Sequence, residues 1–231
     1  MQDADGFYAD VWRGFVDHIA QFRSHWDSHR EWDHQVGQYS VFINVPAGGL
    51  RQELSRQGAA LRQEFLEPVA PDELHLTLMS IAPSHKVDEE GLQRIIDVVK
   101  RTARSFDPFT LTVGGLNGLQ ESIITEVRPW EALLALRRSL YEALLAEVGR
   151  KQFMAPEQFH PHLAVAYVTA AASTDLVKPF LFSKRESVFG ELPVNTLDLV
   201  ELTRSGPHYR NQAVIEAALG KARAAEASAY L

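Results

Sequence analysis

His75-Leu76-Thr77-Leu78 and His162-Leu163-Ala164-Val165 are two short runs of one form, each opening with histidine and continuing in apolar residues. In a strand, residues two apart share a face. His75 and Thr77 therefore look out together while Leu76 and Leu78 look into a core, and His162 with Ala164 stands in the same relation to Leu163 and Val165. If two such units pack about a pseudo-twofold axis, their histidines converge on one cleft.

The surroundings of the two runs support a duplication. Residues 39–45 read as a strand, Pro46-Ala47-Gly48-Gly49 as a break, and Leu50, Leu54 and Leu61 as one face of a helix before the first histidine strand, residues 75–81. Asp88-Glu89-Glu90 then opens a helix carrying Leu92, Ile95, Ile96 and Val99, and a strand follows over 109–113. Gly114-Gly115 and Asn117-Gly118 are turn signals ahead of a strand at 123–127. Pro129 fits a first helical position, and Leu133, Leu136, Leu140, Leu144 and Val148 form a stripe ending at Gly149. The second histidine strand, 162–168, precedes a helix over 174–182 and a strand over 194–202. Each half thus reads strand, helix, histidine strand, helix, strand, with nearly equal spacing, as expected for a repeated supersecondary unit.

Three domains are expected: a helical, His/Trp-rich extension over 1–38, a two-lobed unit over 39–218 that ends in a strand at 212–217, and an Ala-rich tail over 219–231. Phe7, Val11, Phe15, Ile19 and Phe22 give the extension its helical period. The net charge of −7 argues against life on duplex DNA, although a nucleotide or an RNA terminus remains an admissible partner. No cysteine is present, which removes disulfides, thiol nucleophiles and thiolate metal sites. No stretch has the apolar length of a membrane span, so a cytoplasmic protein is expected, and a monomer.

Two convergent histidines suit a phosphodiester. Such a substrate needs a base for the attacking water or hydroxyl, an acid for the leaving oxygen, and donors for the phosphoryl oxygens. Imidazole titrates at about 6.5 and fills either proton-transfer role, so no metal or cofactor is called for. Thr77 would donate to a phosphoryl oxygen.

Leu74-His75-Leu76-Thr77-Leu78 and Phe159-His160-Pro161-His162-Leu163-Ala164-Val165-Ala166-Tyr167 resemble the paired His-x-Thr/Ser motifs of the 2H phosphoesterase superfamily, which includes 2'-5' RNA ligases and RNA 2',3'-cyclic phosphodiesterases. The resemblance covers about residues 39–218. It implies a bilobal α+β fold in which antiparallel sheets line a central cleft with helices outside. It also implies metal-independent cleavage or formation of 2'-linked or cyclic phosphodiesters, with His75 and His162 as acid and base. Ala164 departs from the pattern, because the family places Thr or Ser there. Loss of one preorganised donor costs about 3 kcal/mol, or ~100-fold in rate, unless another group substitutes. Candidates are His160 and Tyr167, or His208, Tyr209 and Arg210. A nucleotide- or RNA-binding module with impaired catalysis is therefore the alternative reading.

Other constellations have blander readings. His160-Pro161-His162 could begin a zinc site but lacks a spaced third ligand. His25 and His29, beside Trp26, with Trp32 and His34 following, suit a metal pair or a base-stacking lid; packing through the tryptophans is favoured. The Gly114–Gly118 segment lacks the Lys-Ser/Thr of a phosphate loop, and Lys151 completes a helix C-terminus.

Overall fold

The computed structural model describes residues 4–28, 37–148, 159–206 and 208–220. The expectations for His29, Trp32, His34, Gly149, Lys151 and the tail beyond Gly220 lie outside the described residues. In chain order the elements are α1 (Ala4–His18), α2 (His25–Ser28), β1 (Gln38–Asn44), α3 (Gly49–Ala60), β2 (Leu66–Pro68), β3 (His75–Pro83), α4 (Glu89–Arg104), β4 (Phe109–Gly118), β5 (Ser122–Arg128), α5 (Glu131–Val148), β6 (Leu163–Val168), α6 (Lys178–Lys184), β7 (Val188–Val194), β8 (Thr196–Ser205) and β9 (His208–Ala218).

The strands form two antiparallel sheets, ordered β3-β1-β8-β9 and β2-β6-β5-β4-β7. The duplication is visible in these orders, since β3-β1-β8 of one sheet corresponds to β6-β5-β4 of the other. The first repeat places β1 and β3 in one sheet and β4 in the other, and the second places β5 and β6 in one sheet and β8 in the other. This exchange ties the lobes together, and the core is continuous across them.

Local chemistry explains the helices. Asp88 Oδ1 accepts from Gly91 N at 2.7 Å at the start of α4, and Ile95, Val98, Val99 and Ala103 give it a buried face. In α5 the expected stripe of Leu133, Leu136, Leu140 and Leu144 is buried, and α4 and α5 pack side by side. This helix begins at Glu131, two residues after Pro129. Among the described residues no helix is long and apolar enough to cross a membrane.

Two expectations are corrected here. The glycine-rich segment is the end of β4, and the chain turns only at residues 119–121. Gly115 takes φ 72° at a register shift against β5, Gly114 backs onto the Ser187 backbone, and a Cβ at Gly118 would strike the Phe15 ring. The glycines thus mark a bulge and close approaches, which a turn signal resembles in sequence. Asn117 is buried, with its amide donating to Tyr8 O at 3.1 Å and Glu126 Oε1 at 3.0 Å. The strand expected over 194–202 is β8, which begins at Thr196 and runs on to Ser205, and the sequence reading passed over the strand before it, β7 (Val188–Val194). β7 holds Gly190 and Pro193, tolerated because it pairs with β4 alone as an edge. Pro68 marks the opposite edge, β2, in the same way.

The N-terminal segment, expected as an addition to the core, is packed into it. Tyr8 and Phe15 of α1 are fully buried, and Phe22 and Trp26 follow them inward. Tyr8 Oη donates to the Pro161 carbonyl at 2.5 Å and accepts from Val127 N at 3.0 Å. Backbone bonds from Phe22 N to Ala172 O and from Arg23 N to Gln120 O then fix the approach to α2.

Candidate active site

The concave faces of the two sheets meet in a cavity of about 210 Å³ lined by both motif histidines. His75 stands at the first residue of β3, opposite Asn44, and its ring stacks on Phe42 at 3.7 Å and 13°. His162 stands one residue before β6. Both are half-buried.

The two imidazoles are held alike. His75 Nδ1 lies 2.6 Å from the carbonyl of Glu73, and His162 Nδ1 lies 2.8 Å from the carbonyl of His160, two residues upstream in each case. A carbonyl oxygen only accepts, so Nδ1 carries hydrogen in both rings and Nε2 is the nitrogen left for proton transfer. Burial disfavours the charged form and lowers both pKa values, that of His75 to about 4. The bond to Glu73 opposes the shift in His75, and the charge of His162 adds to it. In His162 the bond to His160 likewise works against burial.

A bulge shapes each histidine strand. In the β1–β3 ladder Phe42 pairs Thr77 and Val41 pairs Met79, so Leu78 is the extra residue. In the β5–β6 ladder Ile124 pairs Ala164 and Ile123 pairs Ala166, so Val165 is the extra one. Each bulge falls at the third residue after its histidine and inverts the alternation beyond it. Plain alternation from Thr77 would aim Met79 at the cleft; instead Met79 is buried and Ser80 lines the cavity. By the same inversion Tyr167, and not Ala166, lines it on the other side. Ser40 and Ser122, paired with Ser80 and Tyr167 respectively, are equivalent across the axis and both face the cavity.

Thr77 and Ala164 occupy matching positions in the wall, so the hydroxyl absent at 164 is absent from a defined place. The expected substitutes separate cleanly. Tyr167 and Tyr209 line the cavity, whereas His160, His208 and Arg210 are not among its lining residues. His160 is thus a correction: its ring stacks on Phe7 of α1 at 4.1 Å and 7°, and it serves the site through its carbonyl. His208 and Arg210 lie in β9, where their charges lower the Glu73 pKa against the larger upward push of burial.

Reading from sequence passed over Ser40, Phe42, Ser80, Ser122 and Leu202 as cavity residues, and favoured packing over a lid role for the His25 segment. Of these, His25 had the clearest signal, its neighbour Trp26. Trp26 packs inward as favoured, while His25 reaches the cavity, stacked on Tyr167 at 4.5 Å and 30°. Among the described residues no group of three or more His, Asp or Glu side chains could hold a metal ion.

Comparison with known proteins gives a consistent outcome. The family model described as the 2'-5' RNA ligase superfamily matches residues 50–206. An RNA 2',3'-cyclic phosphodiesterase of Methanothermobacter thermautotrophicus is 28% identical over 179 residues, covering 72% of this chain and 91% of that protein. Among solved structures, a Thermus thermophilus protein superposes with a TM-score of 0.65 at 21% identity, covering 80% of this chain and 99% of its own. Escherichia coli LigT, crystallised with NADP+, gives a TM-score of 0.62 at 20% identity and covers 81% of this chain and 100% of its own.

Proposed function

Because the chain belongs to the 2'-5' RNA ligase superfamily, the 2H phosphoesterases, we propose that it is a metal-independent phosphodiesterase for 2',3'-cyclic phosphates or 2'-5' linkages at nucleotides or RNA ends. The observation that carries this reading is the pair of imidazoles, each pinned through Nδ1, lining one cavity. In hydrolysis one Nε2 takes a proton from water as its oxygen attacks phosphorus. The other Nε2–H protonates the ribose oxygen as the phosphorus–oxygen bond breaks. Thr77 holds a phosphoryl oxygen. A single nucleotide terminus suits the small cavity, and the net charge of −7 argues against a long polyanion.

Incubation of the purified protein with 2',3'-cyclic nucleotides and 2'-5'-linked dinucleotides, with and without EDTA, tests this reading. Turnover unaffected by chelator is expected; turnover abolished by it would point to a metal enzyme instead.

The depressed histidines also set the pH dependence. In the free enzyme burial keeps both imidazoles neutral until the pH falls below the usual histidine range. The optimum of kcat/KM, which reports free-enzyme groups, is therefore expected on the acid side of about 6.5. A bound phosphodiester anion favours imidazolium and raises the acid's pKa, so the optimum of kcat is expected at higher pH. Coincident profiles centred above neutrality would contradict this.

The alternative, a nucleotide-binding module with impaired catalysis, is favoured by Ala164 alone. It predicts nucleotide binding with negligible turnover.

A further inference from the structure

Arg137 stands on α5 and is only 2% exposed. A cation buried this deeply is costly unless neighbouring groups engage it. Its Nη1 donates to the carbonyl of Leu78, the residue that the bulge leaves out of the β1–β3 ladder. Its guanidinium carbon lies 4.3 Å from the centre of the Phe159 ring. Phe159 heads the run His160-Pro161-His162, in which the His160 carbonyl holds the imidazole of His162. One buried side chain therefore touches both histidine segments. A guanidinium has several N–H donors and two faces, so these contacts exclude no other that it makes.

The other lobe manages the equivalent carbonyl without charge. There α3, the helix of the first repeat, approaches the bulge of the second so closely that a Cβ at Gly58 would lie 2.8 Å from the carbonyl oxygen of Val165. That oxygen accepts from the backbone N–H of Val69 at 3.0 Å. A neutral donor thus suffices for a bulge carbonyl. What arginine adds on α5 is reach from the first motif to the second.

We propose that Arg137 is a positioning residue that fixes the two histidine motifs relative to each other, gripping the Leu78 bulge through Nη1 and the run before His162 through the Phe159 ring. The inference rests on the phosphodiesterase reading above. The bulge sets Thr77 before it and Ser80 beyond it in the cavity wall. The run after Phe159 is held further by the Phe7 ring, stacked on His160, and by the Tyr8 hydroxyl, which donates to the Pro161 carbonyl. Acid, base and donor act on one phosphate, and a shift of about 1 Å in one of them can cost ~100-fold in rate. Arg137 is not among the residues lining the cavity, so it acts through those that are.

The test is a set of variants, Arg137→Met, Arg137→Lys, Phe159→Leu and Arg137→Met/Phe159→Leu, assayed on a 2',3'-cyclic nucleotide at a temperature where each is folded. Solvent exchange of the His162 Nδ1–H is followed by NMR in the same variants without substrate. Arg137→Met, which keeps the apolar length but neither charge nor donor, is expected to lower kcat by about 30- to 100-fold with KM within a few-fold. Arg137→Lys, which keeps a donor for the Leu78 carbonyl but not the planar guanidinium, is expected to recover part of that loss. Phe159→Leu is expected to lower kcat by about tenfold, and the double variant to be no slower than Arg137→Met, since the ring then has no cation to hold. In Arg137→Met and in Phe159→Leu the His162 Nδ1–H is expected to exchange faster, as its bond to the His160 carbonyl loosens. A merely structural Arg137 would lower Tm in Arg137→Met and leave kcat and this exchange unchanged. Unchanged kcat in Arg137→Met or in Phe159→Leu, or losses that multiply in the double variant, overturns the inference and leaves the phosphodiesterase reading standing. If Arg137→Met does not fold, Arg137→Lys and Phe159→Leu decide by the same two measurements. If the unmodified protein neither binds nor cleaves any 2'-phosphorylated or cyclic nucleotide, the phosphodiesterase reading itself fails, and the exchange of the His162 Nδ1–H still decides whether Arg137 holds the motif.

Discussion

Replacement of His162 by alanine is expected to lower kcat on a 2',3'-cyclic nucleotide by about 10³-fold, with the same order of loss for His75→Ala. Each substitution removes a proton-transfer group, and neither opens the core, because both rings are only half-buried at the cavity. Thermal stability should stay close to that of the unmodified protein. The double variant is expected to be little slower than either single one, since acid and base act in the same transition state. Multiplicative losses would mean that the two histidines serve separate steps. A variant retaining full turnover would remove its histidine from the mechanism.

The second large effect concerns the N-terminal helix. Tyr8→Ala and Phe15→Ala are each expected to destabilise the fold by about 3–5 kcal/mol, a fall in Tm of about 10 °C or more. Both side chains are fully buried in the common core. Tyr8→Ala should also reduce turnover, because Tyr8 Oη holds the carbonyl of Pro161, the residue before His162. Phe15 covers Gly118 so closely that Gly118→Ala has no room beneath the ring. Gly118→Ala should therefore be destabilising by itself and better tolerated in Phe15→Ala, a coupling that a double-mutant cycle measures. Additive effects, or a Tm unchanged by Tyr8→Ala, would mean that α1 is only an appendage.

The local parts of this molecule were legible in the sequence. The His-x-x-x strands, the leucine stripe of α5 and the acidic start of α4 all follow from periodicity and capping, and the repeated order pointed to a duplication. What stayed hidden depends on partners distant along the chain. No residue in β3 announces that Leu78 will be an extra residue against β1, or in β6 that Val165 will be one against β5, so alternation alone placed neither Ser80 nor Tyr167 correctly. The exchange of β4 and β8 between sheets is equally invisible, since a strand carries no label for its neighbour. Gly115 and Gly118 misled because close approach and turning select the same residue. His25 reaches the cavity only because α1 and the segment after it dock across the second sheet. That packing depends on Phe15, Phe22 and Trp26 finding partners elsewhere. Ala164 shares its cavity with His25 and Tyr209, residues far from it along the chain that no local pattern brings together.

The claim at the centre of the account is that His75 and His162 face one phosphate through Nε2. Long-range ¹H–¹⁵N NMR of the imidazole nitrogens, with and without adenosine 2'-monophosphate, tests it most directly. In the free protein both rings should carry hydrogen on Nδ1, and nucleotide should shift the Nε2 signals of both towards the protonated state. A response from one histidine alone, or from neither at saturating nucleotide, would contradict the claim.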